Sequence, residues 1–141
     1  MDKHSITSYS VKHISISINK PADEVYRYAS NPENWPAWTD FIQSIVKENS
    51  TWFAVSDLGR IKVEFVPDNN FGIIDHWVTL TDGTTVYNPM RVIENGQGSE
   101  FVFTLFRMPY MTEEAFEQDA TAVMNDLKTL KKILEKNSRT T

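Results

Sequence analysis

The last third of the chain places the tightest constraint on the fold. From Thr112 to about Lys136 the apolar residues Phe116, Ala120, Val123, Leu127, Leu130 and Leu134 recur at spacings of three and four, which puts them on one face of an α-helix. At about 1.5 Å per residue such a helix is roughly 37 Å long. No other stretch supports a helix of similar length, so a sheet has to cover its apolar face. A curved antiparallel sheet wrapped around a long helix leaves a hollow between them, and a hollow lined by aromatics suits an apolar ligand.

The strands of that sheet are legible as alternations. From about Tyr9 to Ile18, Ile14, Ile16 and Ile18 face one way and His13, Ser15 and Ser17 the other. Lys20 to Ala29 reads as a short helix, with Pro21 near its start, carboxylates in its first turn and Val25, Tyr28 and Ala29 as its apolar stripe. Asn31-Pro32 ends it, and Glu33 to Phe41 reads as a second short helix pinned by Trp35, Trp38 and Phe41. Strands are expected at about Gln43–Lys47, Thr51–Ser56 and Arg60–Val66, the last with Ile61, Val63 and Phe65 inward. A hairpin around Asp82-Gly83 follows, from Phe71–Leu80 to Thr84–Ile93, and the Asn95 to Gly98 turn leads to a strand over Phe101–Phe106. Strand, two helices, six strands and a long helix make an α+β chain, expected to be one domain over residues 1–141.

Composition excludes several chemistries. With no cysteine, disulfides, thiol nucleophiles and cysteine metal sites are ruled out, and a reducing, cytoplasmic location is expected. His4, His13 and His76 lack the spacing of a zinc site, and no phosphate loop or nucleophile elbow is present. No metal or cofactor is therefore implied. No apolar run approaches the roughly 18 residues of a membrane span. A net charge of −5, without a basic stripe, argues against a nucleic-acid partner. Glu113, Glu114, Glu117 and Asp119 at the start of the long helix are read as partners of its dipole and of solvent.

Register gives the hollow its chemistry. If Asp82-Gly83 is a two-residue turn, Thr79 opposes Val86, Trp77 opposes Asn88 and Asp75 opposes Met90. The next turn sets Val92 opposite Phe101, Met90 opposite Phe103, Asn88 opposite Leu105 and Val86 opposite Arg107. This more apolar set is assigned inward, with His76, Thr85, Tyr87, Arg91, Glu100 and Thr104 on the reverse. Asp75, Asn88 and Arg107 then stand among aromatics and need partners, each other or a ligand, because burying such groups alone costs on the order of 1–3 kcal/mol.

The strings Ile16-Ser-Ile-Asn-Lys-Pro-Ala-Asp-Glu-Val-Tyr26, Asn31-Pro-Glu-Asn-Trp-Pro-Ala-Trp38, Asn70-Phe-Gly-Ile-Ile-Asp-His76, Gly98-Ser-Glu-Phe-Val-Phe-Thr-Leu-Phe-Arg107 and Val123 to Leu134, in this order of elements, resemble the START-like superfamily. This superfamily, also called SRPBCC or Bet v 1-like, includes the polyketide cyclases/dehydrases. The resemblance implies the helix-grip fold, a curved seven-stranded antiparallel sheet around a long C-terminal helix with two short helices after the first strand. It implies no particular activity, since the superfamily spans lipid and hormone binders, cyclases, quinone binders, oxygenase subunits and activators of a heat-shock ATPase. The iron ligands of the oxygenases are missing from this chain.

Three functions follow as expectations. The first is binding of an apolar or amphipathic small molecule such as a lipid, quinone or aromatic polyketide, with Trp77, Met90, Phe101, Phe103, Met124 and Leu127 supplying contact and Asp75, Asn88 and Arg107 orienting a polar end. The second is a cyclase or dehydratase with Asp75 as base and Arg107 or Asn88 stabilising an enolate. The third is an interaction module presenting Ile74, Val78, Tyr87 and Phe106 on the outer sheet face to a protein partner or to a second copy in a homodimer.

Overall fold

The computed structural model describes residues 6–136; His4 lies outside them. In chain order the elements are β1 (Val11–Ile18), α1 (Ala22–Ala29), a 3-10 turn (Pro32–Asn34) running into the one-turn α2 (Trp35–Trp38), β2 (Ile42–Glu48), β3 (Thr51–Ser56) and β4 (Gly59–Phe65). They continue with β5 (His76–Thr79), β6 (Thr85–Asn88), β7 (Met90–Asn95), β8 (Gly98–Phe106) and α3 (Glu113–Lys136). The antiparallel strands run in the orders β1-β8-β7 and β2-β3-β4-β5-β6. The two sheets meet where residues 72–74 run beside β7: Ile74 N donates to Met90 O at 2.9 Å and Val92 N to Gly72 O at 2.9 Å.

The expected strand from Thr84 to Ile93 is two strands because Pro89 lies within it. Proline offers no N–H to a ladder, so pairing lapses there and the sheet bends. Counted with that break the curved sheet has eight strands, not seven. Gly72 makes the seam possible. Its φ is +72°, and a Cβ at this position would overlap the Val92 carbonyl oxygen.

The helix α3 lies over the concave face, as its periodicity requires. Phe116, Leu127, Leu130 and Leu134 are buried, together with Ile14 and Ile18 of β1, Val25 and Ala29 of α1, Ile61 and Val63 of β4, Met90 and Val92 of β7, and Phe101 and Leu105 of β8. Polar latches fix the helix beside the first strand: Lys131 Nζ donates to Ser17 O at 2.7 Å, Asn19 N donates to Glu135 Oε2 at 2.8 Å, and Lys12 pairs with Glu117 at 2.7 Å. No helix among the described residues is long and apolar enough to cross a membrane.

One register differs from expectation, and it reverses a strand. The β5–β6 hairpin pairs His76 with Asn88, Trp77 with Tyr87, Val78 with Val86 and Thr79 with Thr85. The loop is Thr81-Asp82-Gly83, closed by Leu80 N to Thr84 O at 2.8 Å and by Thr84 N to Asp82 Oδ1 at 2.9 Å, with Gly83 at φ +90°. A three-residue loop with glycine in the left-handed position replaces the two-residue turn read from Asp82-Gly83. A slip of one residue turns every side chain of a strand over. His76 and Val78 therefore point inward, while Asp75 and Trp77 do not. The β7–β8 register is the expected one, with Met90 opposite Phe103 and Val92 opposite Phe101, but before Pro89 the expected pairs of Asn88 with Leu105 and Val86 with Arg107 do not form, because β6 pairs with β5 alone.

Candidate functional site

A cavity of about 340 Å³ opens between α2, the front half of α3 and the concave face of β4 to β8. Its inner wall is aromatic and aliphatic: Trp35 and Trp38 from α2, Ile61 from β4, Val78 from β5, Val86 from β6, Met90 from β7, Phe103 and Leu105 from β8, and Val123 and Leu127 from α3. Leu58, Leu80, Tyr110 and Met111 surround the mouth. Trp38 packs edge-on against the fully buried Phe101 and against Trp35, whose indole N–H donates to Ala29 O at 2.9 Å. The Trp38 indole N–H, in a residue only 4% exposed, has no acceptor among the described residues.

Few polar groups reach this space. His76 is 3% exposed and sits edge-on to Trp35 at 4.8 Å, with Nδ1 at 3.1 Å from Ile74 O. Burial pushes its pKa down to about 4, against smaller opposing effects of that carbonyl and the Asp75 charge, so the ring is neutral at pH 7. Asn88 lines the cavity from the end of β6. Asp119 and Asp126, one heptad apart on α3, line it from the helix side. Burial pushes Asp126 up to about 6; the Asp40 N–H it accepts at 3.1 Å opposes this, and the Asp40 charge adds to it. Burial also raises Asp119.

The residues singled out from the sequence divide into three groups. Asn88, Met90, Phe103 and Leu127 line the cavity together. Phe101 lies behind Trp38, and Met124 faces a separate groove beside β1, with Lys12, Ile14 and Glu117. Asp75, Trp77 and Arg107 do not line the cavity, and the flipped strand accounts for the first two. Trp77 stacks on Tyr87 on the convex face, and Tyr87 stacks on Phe106, which also lines the cavity. Arg107 ends β8 and caps the turn into α3, its Nε donating to Met111 O at 3.2 Å.

Asp75 is held by four hydrogen bonds. Arg91 donates from Nε at 3.1 Å and from a terminal nitrogen at 2.9 Å, the Tyr87 hydroxyl donates at 2.8 Å and Met90 N at 3.0 Å. Burial alone would raise this carboxyl, but the donors outweigh it and hold it below its ordinary range. Its partner is thus Arg91, not Arg107.

The sequence reading missed His76, Asp119 and Asp126. His76 was hidden by the register. The two aspartates carried a usable signal, since Asp119, Val123 and Asp126 follow the helical repeat beside Leu127.

No family model matches the sequence, and no curated protein does. Solved structures do match. The protein XoxI from Bacillus cereus superposes with a TM-score of 0.69 at 12% identity, covering 95% of this chain and 100% of that one. A START superfamily protein from Mycobacterium smegmatis gives 0.65 at 12% identity, covering 89% and 97%. The di-domain ARO/CYC protein BexL from the BE-7585A biosynthetic pathway gives 0.67 at 16% identity, covering 93% of this chain and 48% of that one.

Proposed function

We infer that the chain, which has the helix-grip fold, is a member of the START-like, SRPBCC superfamily. We propose that it binds one small, mainly apolar molecule in the cavity between sheet and α3. The observation that carries this reading is the cavity itself: about 340 Å³, walled by tryptophan, phenylalanine, methionine and aliphatic side chains, with polar groups at only a few points. A cavity of about 340 Å³ lies at the small end of ligand sites and suits a molecule of one or two rings better than a two-chain lipid. Asn88, Met90, Phe103 and Leu127 are the contacts carried over from the sequence, joined by Trp35, Trp38, His76 and Val78.

Asp75 is not available as a general base in this reading, since its oxygens already accept from Arg91, Tyr87 and Met90. The proposed outer interaction face is also reduced, because Ile74 is buried and Val78 and Phe106 line the cavity, leaving Tyr87.

The test begins with native mass spectrometry of gently purified protein, with organic extraction of anything retained. Titration with naphthalenes, quinones and small aromatic polyketides then follows Trp35 and Trp38 by fluorescence, alongside the melting temperature. Saturable changes in both are expected for at least one class. Unchanged fluorescence and melting temperature throughout would remove the reading.

A further inference from the structure

We propose that the cavity selects an apolar molecule bearing an amine at the end that meets α3 and a hydrogen-bond acceptor at the end that meets Trp38, and that it discriminates against carboxylates and phosphates. This rests on the reading of the cavity as a ligand site and adds the charge of what enters it.

Three independent features converge. Asp119 and Asp126 face the cavity from one side of α3, and among the described residues no lysine or arginine lines the space to balance them. Among the described residues Asp126 has only the backbone N–H of Asp40 as donor, and Asp40 adds a further negative charge nearby. An ammonium at this position gains charge-assisted hydrogen bonds in partly desolvated surroundings, whereas an anionic group meets like charge. The opposite wall offers an anion no positive charge in return, because His76 is neutral at pH 7. Burial raises both aspartates, as expected of carboxylates lacking a cation.

The second feature is the Trp38 indole N–H, enclosed and without an acceptor. Indole is a donor only, and a buried donor without a partner costs free energy on the order of 1–3 kcal/mol. The nitrogen is closed off from the cavity that the ring lines, so a carbonyl or ether oxygen on a bound molecule supplies the missing acceptor only with a small tilt of the indole. The third feature is the chain's net charge of −5, which draws cations toward the protein and repels anions before contact.

The experiment uses the full chain and three probes on one skeleton: naphthylethylamine, naphthylacetic acid and ethylnaphthalene. Affinities are measured by calorimetry at pH 7.5, with the Trp38 indole N–H followed by nitrogen-15 NMR. The amine is expected to bind about tenfold or more tightly than the acid, with the neutral probe between them. A second amine carrying a ring carbonyl should shift the Trp38 signal downfield. In the Asp119→Asn, Asp126→Asn double variant, whose asparagine oxygen can still accept from Asp40 N, the preference for amine over acid should fall to about twofold or less.

Equal binding of amine and acid to the native protein, tighter binding of the acid, or an unchanged preference in the folded double variant would overturn the charge assignment. A Trp38 signal unmoved by the carbonyl amine would overturn the acceptor assignment. Failure of all three probes to bind would overturn the ligand-site reading for molecules of this size, an outcome distinct from indiscriminate binding. If the double variant does not fold, the comparison of amine with acid on native protein still decides the charge assignment.

Discussion

The two titratable groups of the cavity that are shifted furthest oppose each other, and this makes the pH dependence of stability a sharp test of the structure. For His76 the folded pKa is about 4 against 6.5 for an ordinary histidine. The unfolded chain takes up a proton that the folded chain refuses, so this contribution is complete above 6.5 and is lost as pH falls toward 4. At 1.36 kcal/mol per unit it amounts to about 3 kcal/mol. Asp126 has the reverse sign. Its folded pKa is about 6 against 3.8, so the folded chain holds a proton that the unfolded chain releases, and its contribution is complete below 3.8 and lost as pH rises to 6. Screening by solvent at the partly open mouth reduces that contribution to about 1–2 kcal/mol.

Between about pH 4 and 6 the two contributions therefore partly offset each other, leaving the native protein a net rise in stability with pH of about 1–2 kcal/mol. Removing one should expose the other. Urea unfolding across this range should give Asp126→Asn a stability that climbs with pH by about 3 kcal/mol, and His76→Gln one that declines with pH by about 1–2 kcal/mol. The His76 ring should also show neutral carbon and nitrogen shifts down to about pH 5 by NMR, a readout independent of any variant. Parallel profiles for native protein and both variants, or a His76 midpoint near 6.5, would refute the reasoning.

Three further outcomes follow from the backbone and the convex face. Gly72→Ala should lower stability by about 2–4 kcal/mol in chemical denaturation, because its Cβ meets the Val92 carbonyl, whereas Gly83→Ala, facing open space at φ +90°, should lose only about 1 kcal/mol. Ser50→Gly should raise the melting temperature, gaining about 0.5–1 kcal/mol, since Asn49 and Ser50 both have positive φ (51° and 73°) in the β2–β3 turn. Asp75→Asn should cost about 1–3 kcal/mol, limited by the 45% exposure of the Arg91 side chain, while leaving affinity for cavity ligands within about twofold.

Periodicity made most of the fold legible. The helix face Phe116, Leu127, Leu130 and Leu134 and the alternation of Ile14 with Ile18 and of Ile61 with Val63 are properties of single elements, and all these residues are buried. The β7–β8 pairing was legible because its turn leaves one simple register. The β5–β6 hairpin was not, since Asp82-Gly83 serves a two-residue turn or the end of a three-residue loop equally well. That one residue decides whether Asp75 or His76 faces the cavity. No local signal chose between them, because each can be buried once its partners are in place, and the partners Arg91 and Tyr87 lie on other strands. Pro89 was visible in the sequence, but its effect on strand count required the sheet around it.

The distribution of tryptophans has a consequence for anyone watching this protein by light. Of the four tryptophans, Trp35 and Trp38 are enclosed at the cavity, Trp77 is 36% exposed and stacked on Tyr87 on the far side of the sheet, and Trp52 is half-buried beneath the Lys47 ammonium away from the cavity. A collisional quencher such as acrylamide reaches Trp77 and the half-buried Trp52 before the enclosed pair and darkens the red edge of the emission, so the signal left at the blue edge comes chiefly from Trp35 and Trp38. A bound molecule should perturb that blue component and spare the quenchable one, so the chain contains its own reference chromophore beside its reporters.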